Sequence, residues 1–163
     1  TYKANIKHHW EDVNKATGAL FDYTFFNRDG FVLDTEPACR AVVTARLMNK
    51  SILIPFYESI SRSFYSENKD TTDLKKFKSL AEEVGLDFVD FSKIYNQLKT
   101  KENTRNDFNF TKKIGVTGFP TVIIKEDEKM TLLTAGYQSF QNIEPKIEAW
   151  LSNGLKEYPE NND

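Results

Sequence analysis

Apolar residues recur at every third or fourth position along the first two thirds of this chain, then give way to short runs of β-branched residues. Ile6, Trp10 and Val13 share one helical face, and Gly18 is placed to stop that helix. Leu20 to Phe26 is rich in apolar and aromatic residues, and Asn27-Arg28-Asp29-Gly30 is turn chemistry, so 20–33 reads as an extended, loop-like crossing. Asp34-Thr35-Glu36-Pro37 combines capping side chains with an early proline and predicts a helix start, with Ala38, Val42 and Ala45 on one face. Ile52, Phe56, Ile60 and Phe64 then repeat at a spacing of four, with Pro55 near the start where its missing N–H costs little. Thr72-Asp73 opens a third segment carrying Leu74, Phe77, Leu80 and Val84, closed by Gly85. Asp87 caps a fourth with Phe88, Phe91, Ile94 and Leu98, and a fifth runs from about Asn103 to Ile114, ending at Gly115.

The period changes after that glycine. Thr121-Val122-Ile123-Ile124-Lys125 and Met130-Thr131-Leu132-Leu133-Thr134 are strand-type runs joined by the polar Glu126-Asp127-Glu128-Lys129, which predicts a hairpin. Gly136-Tyr137 ends it. Ile143, Ile147 and Trp150 predict a final helix stopped by Gly154, and 155–163 is a polar tail expected to fray. A two-stranded hairpin is marginal alone. Val122 to Ile124 is a continuous apolar run, as in a strand buried on both faces, and such a strand wants neighbours. The sequence supplies one.

Composition narrows the class. With 163 residues, 39% hydrophobic and 28% charged, the chain has the make-up of a folded domain with a sizeable core. A formal charge of −2 gives no strong pull towards nucleic acid or anionic lipid, so neither is an expected partner. The basic stretch from Lys99 to Lys113 is interrupted by Glu102 and Asp107 and reads as a solvated helix face. No apolar run approaches the roughly 20 residues that span a bilayer. The chain opens at Thr1-Tyr2-Lys3 rather than Met, and the expectation is that the gene product starts further upstream.

Little reactive chemistry is visible. Cys39 is the single cysteine, which excludes an intrachain disulfide and a Cys-rich zinc site and suits a reducing, cytoplasmic setting. It should lie in the first turn of a helix beside Arg40, where a lowered thiol pKa is conceivable, but exchange catalysis needs a resolving thiol and none exists here. The bland role for Cys39, a small packed hydrophobe, is preferred. His8 and His9 are adjacent, so on a helix they diverge by about 100° and cannot share a metal. The carboxylates are scattered, and there is no glycine-rich phosphate loop or Gly-x-Ser-x-Gly. No metal and no cofactor are expected.

Val116-Thr117-Gly118-Phe119-Pro120-Thr121, running into Val122-Ile123-Ile124, resembles the cis-proline loop of the thioredoxin superfamily. The block from 35 to 114 resembles the helical insertion of the DsbA-like branch. His8-His9-Trp10-Glu11, Thr35-Glu36-Pro37-Ala38-Cys39-Arg40-Ala41-Val42 and Gly115 to Thr121 look like cytosolic DsbA-like proteins described as protein-disulfide isomerases. The resemblance covers most of residues 3–152. It implies an α/β thioredoxin-like fold with four parts: a helix and extended crossing (1–34), the helical insertion (35–114), a C-terminal β-β-α unit (115–154) and the tail (155–163). It also implies that the family's opening strand, Cys-x-x-Cys helix and second strand, roughly 40–60 residues by ordinary element lengths, belong before Thr1.

By the same resemblance, Phe119 would offer backbone N–H and C=O to an extended substrate. Pro120 would supply the turn, with Thr117 and Gly118 shaping the approach. The implied function is thiol–disulfide oxidoreduction or isomerisation, this chain carrying the docking loop and helical cap but no catalytic residue. The partner would be a disulfide- or thiol-containing polypeptide or a small thiol. Two alternatives stand beside it: a glutathione-dependent transferase or isomerase of the kappa-like branch, marked by a serine in place of the dithiol, and a non-catalytic module holding extended peptides. An exposed apolar strand would also permit self-association by edge pairing.

Overall fold

A computed structural model describes residues 2–153, so the expected stop at Gly154 and the tail at 155–163 lie outside the described residues. The helices are α1 (Tyr2–Thr17), α2 (Glu36–Met48), α3 (Leu53–Tyr65), α4 (Phe77–Glu83), α5 (Phe88–Asn96), α6 (Leu98–Lys113) and α7 (Phe140–Asn153). Between α6 and α7 lie strands β1 (Thr121–Glu126) and β2 (Lys129–Ala135). The chain divides into two compact units, Thr1–Asp107 and Phe108–Asp163, with the boundary inside α6.

The first unit is helical and has two apolar clusters. The larger joins Ala41 and Ala45 of α2, Phe56 and Ile60 of α3, Phe77 and Leu80 of α4, and Phe91 and Tyr95 of α5. The spacing of four along α3 explains its part in this core, since such positions fall on one stripe. The smaller gathers aromatic rings around Trp10, with Phe25 and Phe64 buried beside it and Phe21, Tyr23 and Phe26 packed against it. Ring centroids 4.9–5.2 Å from the Trp10 ring place Phe21, Phe25 and Phe26 in direct contact.

The helix ends follow their capping residues. Asp87 accepts the Asp90 N–H at 2.9 Å at the start of α5. Leu86 N–H reaches the Ala81 carbonyl and Gly85 N–H the Glu82 carbonyl, which closes α4 as a Schellman motif.

Three expectations differ from what forms. The crossing at 20–33 contains a 3-10 turn, Tyr23–Asn27, because Asp22 accepts both the backbone N–H and the hydroxyl of Thr24, a local cap that favours a tight turn over extended chain. Leu98 does not belong to the helix before it. It begins α6 about a turn earlier than the apolar pattern suggests and is exposed, while Thr100 and Thr104 are the buried positions of α6. Their hydroxyls donate to the carbonyls of Ile94 and Thr100, so polar side chains occupy the inner face and hide the helix from an apolar count. Finally, β1 pairs antiparallel with β2, and among the described residues the sheet has two strands, leaving Val122 exposed and Ile123 and Ile124 half-buried.

Candidate functional site

The loop singled out in the sequence begins where α6 stops. Gly115 has φ +78°, a left-handed conformation in which a Cβ is unfavourable. That geometry lets Val116 N–H reach the Thr111 carbonyl at 3.2 Å and Gly115 N–H reach the Lys112 carbonyl at 3.1 Å. The helix is thereby closed by a Schellman motif that turns the chain into 116–120. The Phe119–Pro120 peptide bond is cis, and β1 starts directly after it.

The loop is fastened at both ends. Thr121 Oγ1 donates to the Gly118 carbonyl at 2.8 Å. Gly136, at φ +88°, donates its N–H to the Pro120 carbonyl at 2.8 Å, and the Thr134 hydroxyl donates to the Gly136 carbonyl at 2.8 Å. The far end of β2 therefore clamps the first residue before β1. The loop is nonetheless exposed: Phe119 is 80% accessible, and Thr117, Gly118 and Pro120 are exposed with it. A Cβ built on Gly118 meets no atom within 4 Å, so the space beside this backbone is open.

A cleft of about 410 Å³ runs along the loop and one face of the hairpin. Val116, Thr117, Gly118 and Phe119 form one side, and Ile123, Met130 and Leu132 the other. The hairpin register explains that wall, because Ile123 faces Leu132 and Lys125 faces Met130 across the ladder. Register shifts between Val122 and Ile123, which leaves Leu133 as an extra residue on β2. Leu133 and Thr134 are consequently both buried, while Leu132 stays 56% exposed in the cleft. The extra residue also aims the Leu133 carbonyl at Lys146 of α7, whose ammonium donates to it at 3.3 Å. No lining residue carries a charge. The site can therefore present backbone polar groups and apolar surface, but no acid, base or nucleophile.

All four site residues named from the sequence lie on this one loop. Thr117, Gly118 and Phe119 line the cleft, and Pro120 stands at its end, held through its carbonyl. Sequence reasoning missed the fasteners Thr121, Thr134 and Gly136, and the wall residues Met130 and Leu132. Gly136 was read only as the end of the hairpin. Its spacing to Pro120 means nothing until strand pairing brings the two together.

The other candidates sit elsewhere. Cys39 lies in the first turn of α2 and is half-buried. Burial pushes its thiol pKa up, and the charges of Glu36, Asp107 and Asp34 push it further, the reverse of an activated thiolate. Arg40 does not counter this, since its guanidinium pairs with Glu36 at 2.9 Å and lies 4.2 Å over the Tyr95 ring. His8 is exposed on α1 beside Glu11 and Asp12, at 3.7 and 3.5 Å. Among the described residues no group of histidine, cysteine or carboxylate side chains is arranged to hold a metal. No helix among them is long and apolar enough to cross a membrane.

Comparison with known proteins agrees with this architecture. The family model of the DSBA-like thioredoxin domain matches residues 19–148. The chain belongs to this family. Its general chemistry is thiol–disulfide oxidoreduction. A "putative protein disulfide isomerase" from Nitrosomonas europaea is similar in structure with a TM-score of 0.88 and 31% sequence identity, over 92% of this chain and 74% of that one. The cytosolic disulfide reductase DsbM from Pseudomonas aeruginosa is similar in fold, with a TM-score of 0.70 at 19% identity over 93% of this chain and 71% of that one. The same reductase with GSH gives 0.66 at 19% identity over 92% and 71%. No curated protein matches the chain. The thioredoxin-like, DsbA-like assignment thus stands on a family model and on structure, and the two-stranded β-β-α unit is the part of that fold present in the described residues.

Proposed function

We propose that this chain carries the substrate-docking loop and helical cap of a thiol–disulfide oxidoreductase or disulfide isomerase of the DsbA-like branch, acting in the cytoplasm. Residues 117–120 dock the substrate. An extended polypeptide lies along the loop, its backbone pairing with the N–H and C=O of Phe119 in the manner of an added strand. Gly118 leaves room for that backbone, and Thr117 borders it. A small thiol is the other partner class, in keeping with the neighbouring reductase determined with GSH.

The dithiol comes from outside residues 1–163, because Cys39 is the one cysteine here. A first thiolate attacks a substrate sulfur, and one substrate thiolate leaves. A second thiolate then attacks the resulting mixed disulfide, releasing the reduced substrate and oxidising the pair. The observation that carries the reading is an open, uncharged cleft beside the 80% exposed Phe119, on a backbone fastened by Thr121 and Gly136.

The test is nuclear magnetic resonance titration of the isotope-labelled chain with a cysteine-containing peptide, its thiol blocked by methylation. Saturable shifts at the Gly118 and Phe119 amides are expected. Shifts confined to other surfaces would remove the docking role from this loop.

A further inference from the structure

The hairpin turns one apolar face towards the cleft beside the loop. Ile123 stands opposite Leu132 and Lys125 opposite Met130 in the β1–β2 ladder, so Ile123, Met130 and Leu132 project to the same side. Leu132 and Leu133 are neighbours of one type with opposite fates. The extra residue at the bulge lets Leu133 bury, at 7% exposure, while Leu132 is held out at 56% and Met130 at 41%. With the exposed Phe119, they place three large apolar side chains on one cleft of about 410 Å³. Single apolar residues on a surface need no explanation, but a concave cluster of them does. Lys113, Lys125 and Lys129 adjoin lining residues in sequence or in register, yet none of them lines the cleft.

The loop indicates what lies against this face. Gly118 and Phe119 line the same cleft as Met130 and Leu132, so a peptide held on the Phe119 backbone runs beside that wall. Alternate side chains of an extended peptide point to opposite sides, which brings one of them, close to the docked cysteine, onto the wall. A polar side chain placed there would give up water, and Ile123, Met130 and Leu132 would offer it no hydrogen bond in return. An apolar one would remove exposed surface from water on both partners.

We propose, resting on the docking role of residues 117–120, that Met130 and Leu132 determine substrate specificity: they seat a large apolar side chain within two residues of the substrate cysteine and disfavour a polar one. Met130 widens the choice among apolar side chains, because an unbranched thioether adapts to irregular shapes. The selection is therefore for hydrophobicity and not for one shape.

Nuclear magnetic resonance titration of the isotope-labelled chain tests it with two peptides. Both carry an S-methylated cysteine, flanked within two residues on either side by leucine in one and by asparagine, of nearly the same shape, in the other. The leucine peptide is expected to bind about tenfold more tightly, the scale of burying much of a leucine side chain. Leu132→Asn and Met130→Gln should each reduce that ratio, whereas the conservative Leu132→Met should retain it. Thermal melts establish that each variant is folded. Equal affinities for the two peptides, with saturable shifts at the Gly118 and Phe119 amides, overturn the specificity role and leave the docking role standing. A preference that survives both polar substitutions overturns it equally, by locating the selection elsewhere. Shifts at neither amide with either peptide remove the docking role and this one together.

Discussion

At the scale of single residues, the proposed docking loop and the lone thiol make opposite predictions about exposure. A side chain added at Gly118 would project into open space, since its Cβ meets nothing within 4 Å. Gly118→Val is therefore expected to leave the thermal unfolding midpoint nearly unchanged while abolishing the peptide-induced shifts at Phe119. A large fall in the midpoint would show that the glycine serves the fold instead. Cys39 is held neutral, first by burial and then by Glu36, Asp107 and Asp34. The folded pKa is thus raised above its unfolded value, so this group's contribution to stability is complete below the ordinary thiol range. It is lost as pH rises through the higher folded value. Iodoacetamide should accordingly alkylate native Cys39 more slowly than the unfolded chain at about pH 8.5, the usual thiol pKa, and Glu36→Gln should speed the reaction. These residue-level features were unequally legible. That Cys39 would sit in a helical first turn beside Arg40 follows from local sequence, but the direction of its shift comes first from burial, which only the packed fold decides, with Glu36, Asp107 and Asp34 adding to it.

At the scale of elements, caps and stops carry most of what can be read locally. Asp87 accepts the Asp90 N–H at the start of α5, and Asp87→Ala should cost about 1 kcal/mol of stability, the usual value of an N-cap. Chemical denaturation measures it, and a change below a few tenths would mean that packing alone sets that helix start. The five apolar-periodic segments before Gly115 all prove helical, because Phe, Leu and Ile at a spacing of three or four are local signals. The start of α6 was not legible, since its inward face is threonine whose hydroxyls find carbonyls only after folding. The bulge at Leu133 was hidden for a similar reason. A register shift belongs to a pair of strands, not to either run alone.

At the scale of the whole chain, the helical core and the single cysteine set the expectations. Phe56 is fully buried among α2, α4 and α5 residues, and Phe56→Ala should destabilise the helical unit by about 3–5 kcal/mol through loss of transfer energy and an unfilled cavity. A thermal melt of this variant provides the check. With one cysteine, the chain by itself should not sustain insulin-disulfide reduction by dithiothreitol above background, and Cys39→Ser should change nothing. Sustained turnover would overturn the reading in which the pair lies outside residues 1–163. Membership of the DsbA-like family was legible because His8 to Glu11, Thr35 to Val42 and the loop from Gly115 to Thr121 resemble segments of that family. Sequence by itself determined the helices, the hairpin and the loop, since periodicity, caps and turn residues act over a few positions. Only the tertiary structure decided that Gly136 fastens Pro120, that Leu132 and Met130 wall the cleft, and that Arg28 reaches the Asn68 carbonyl. Those pairings join residues distant in sequence, and no local propensity encodes them.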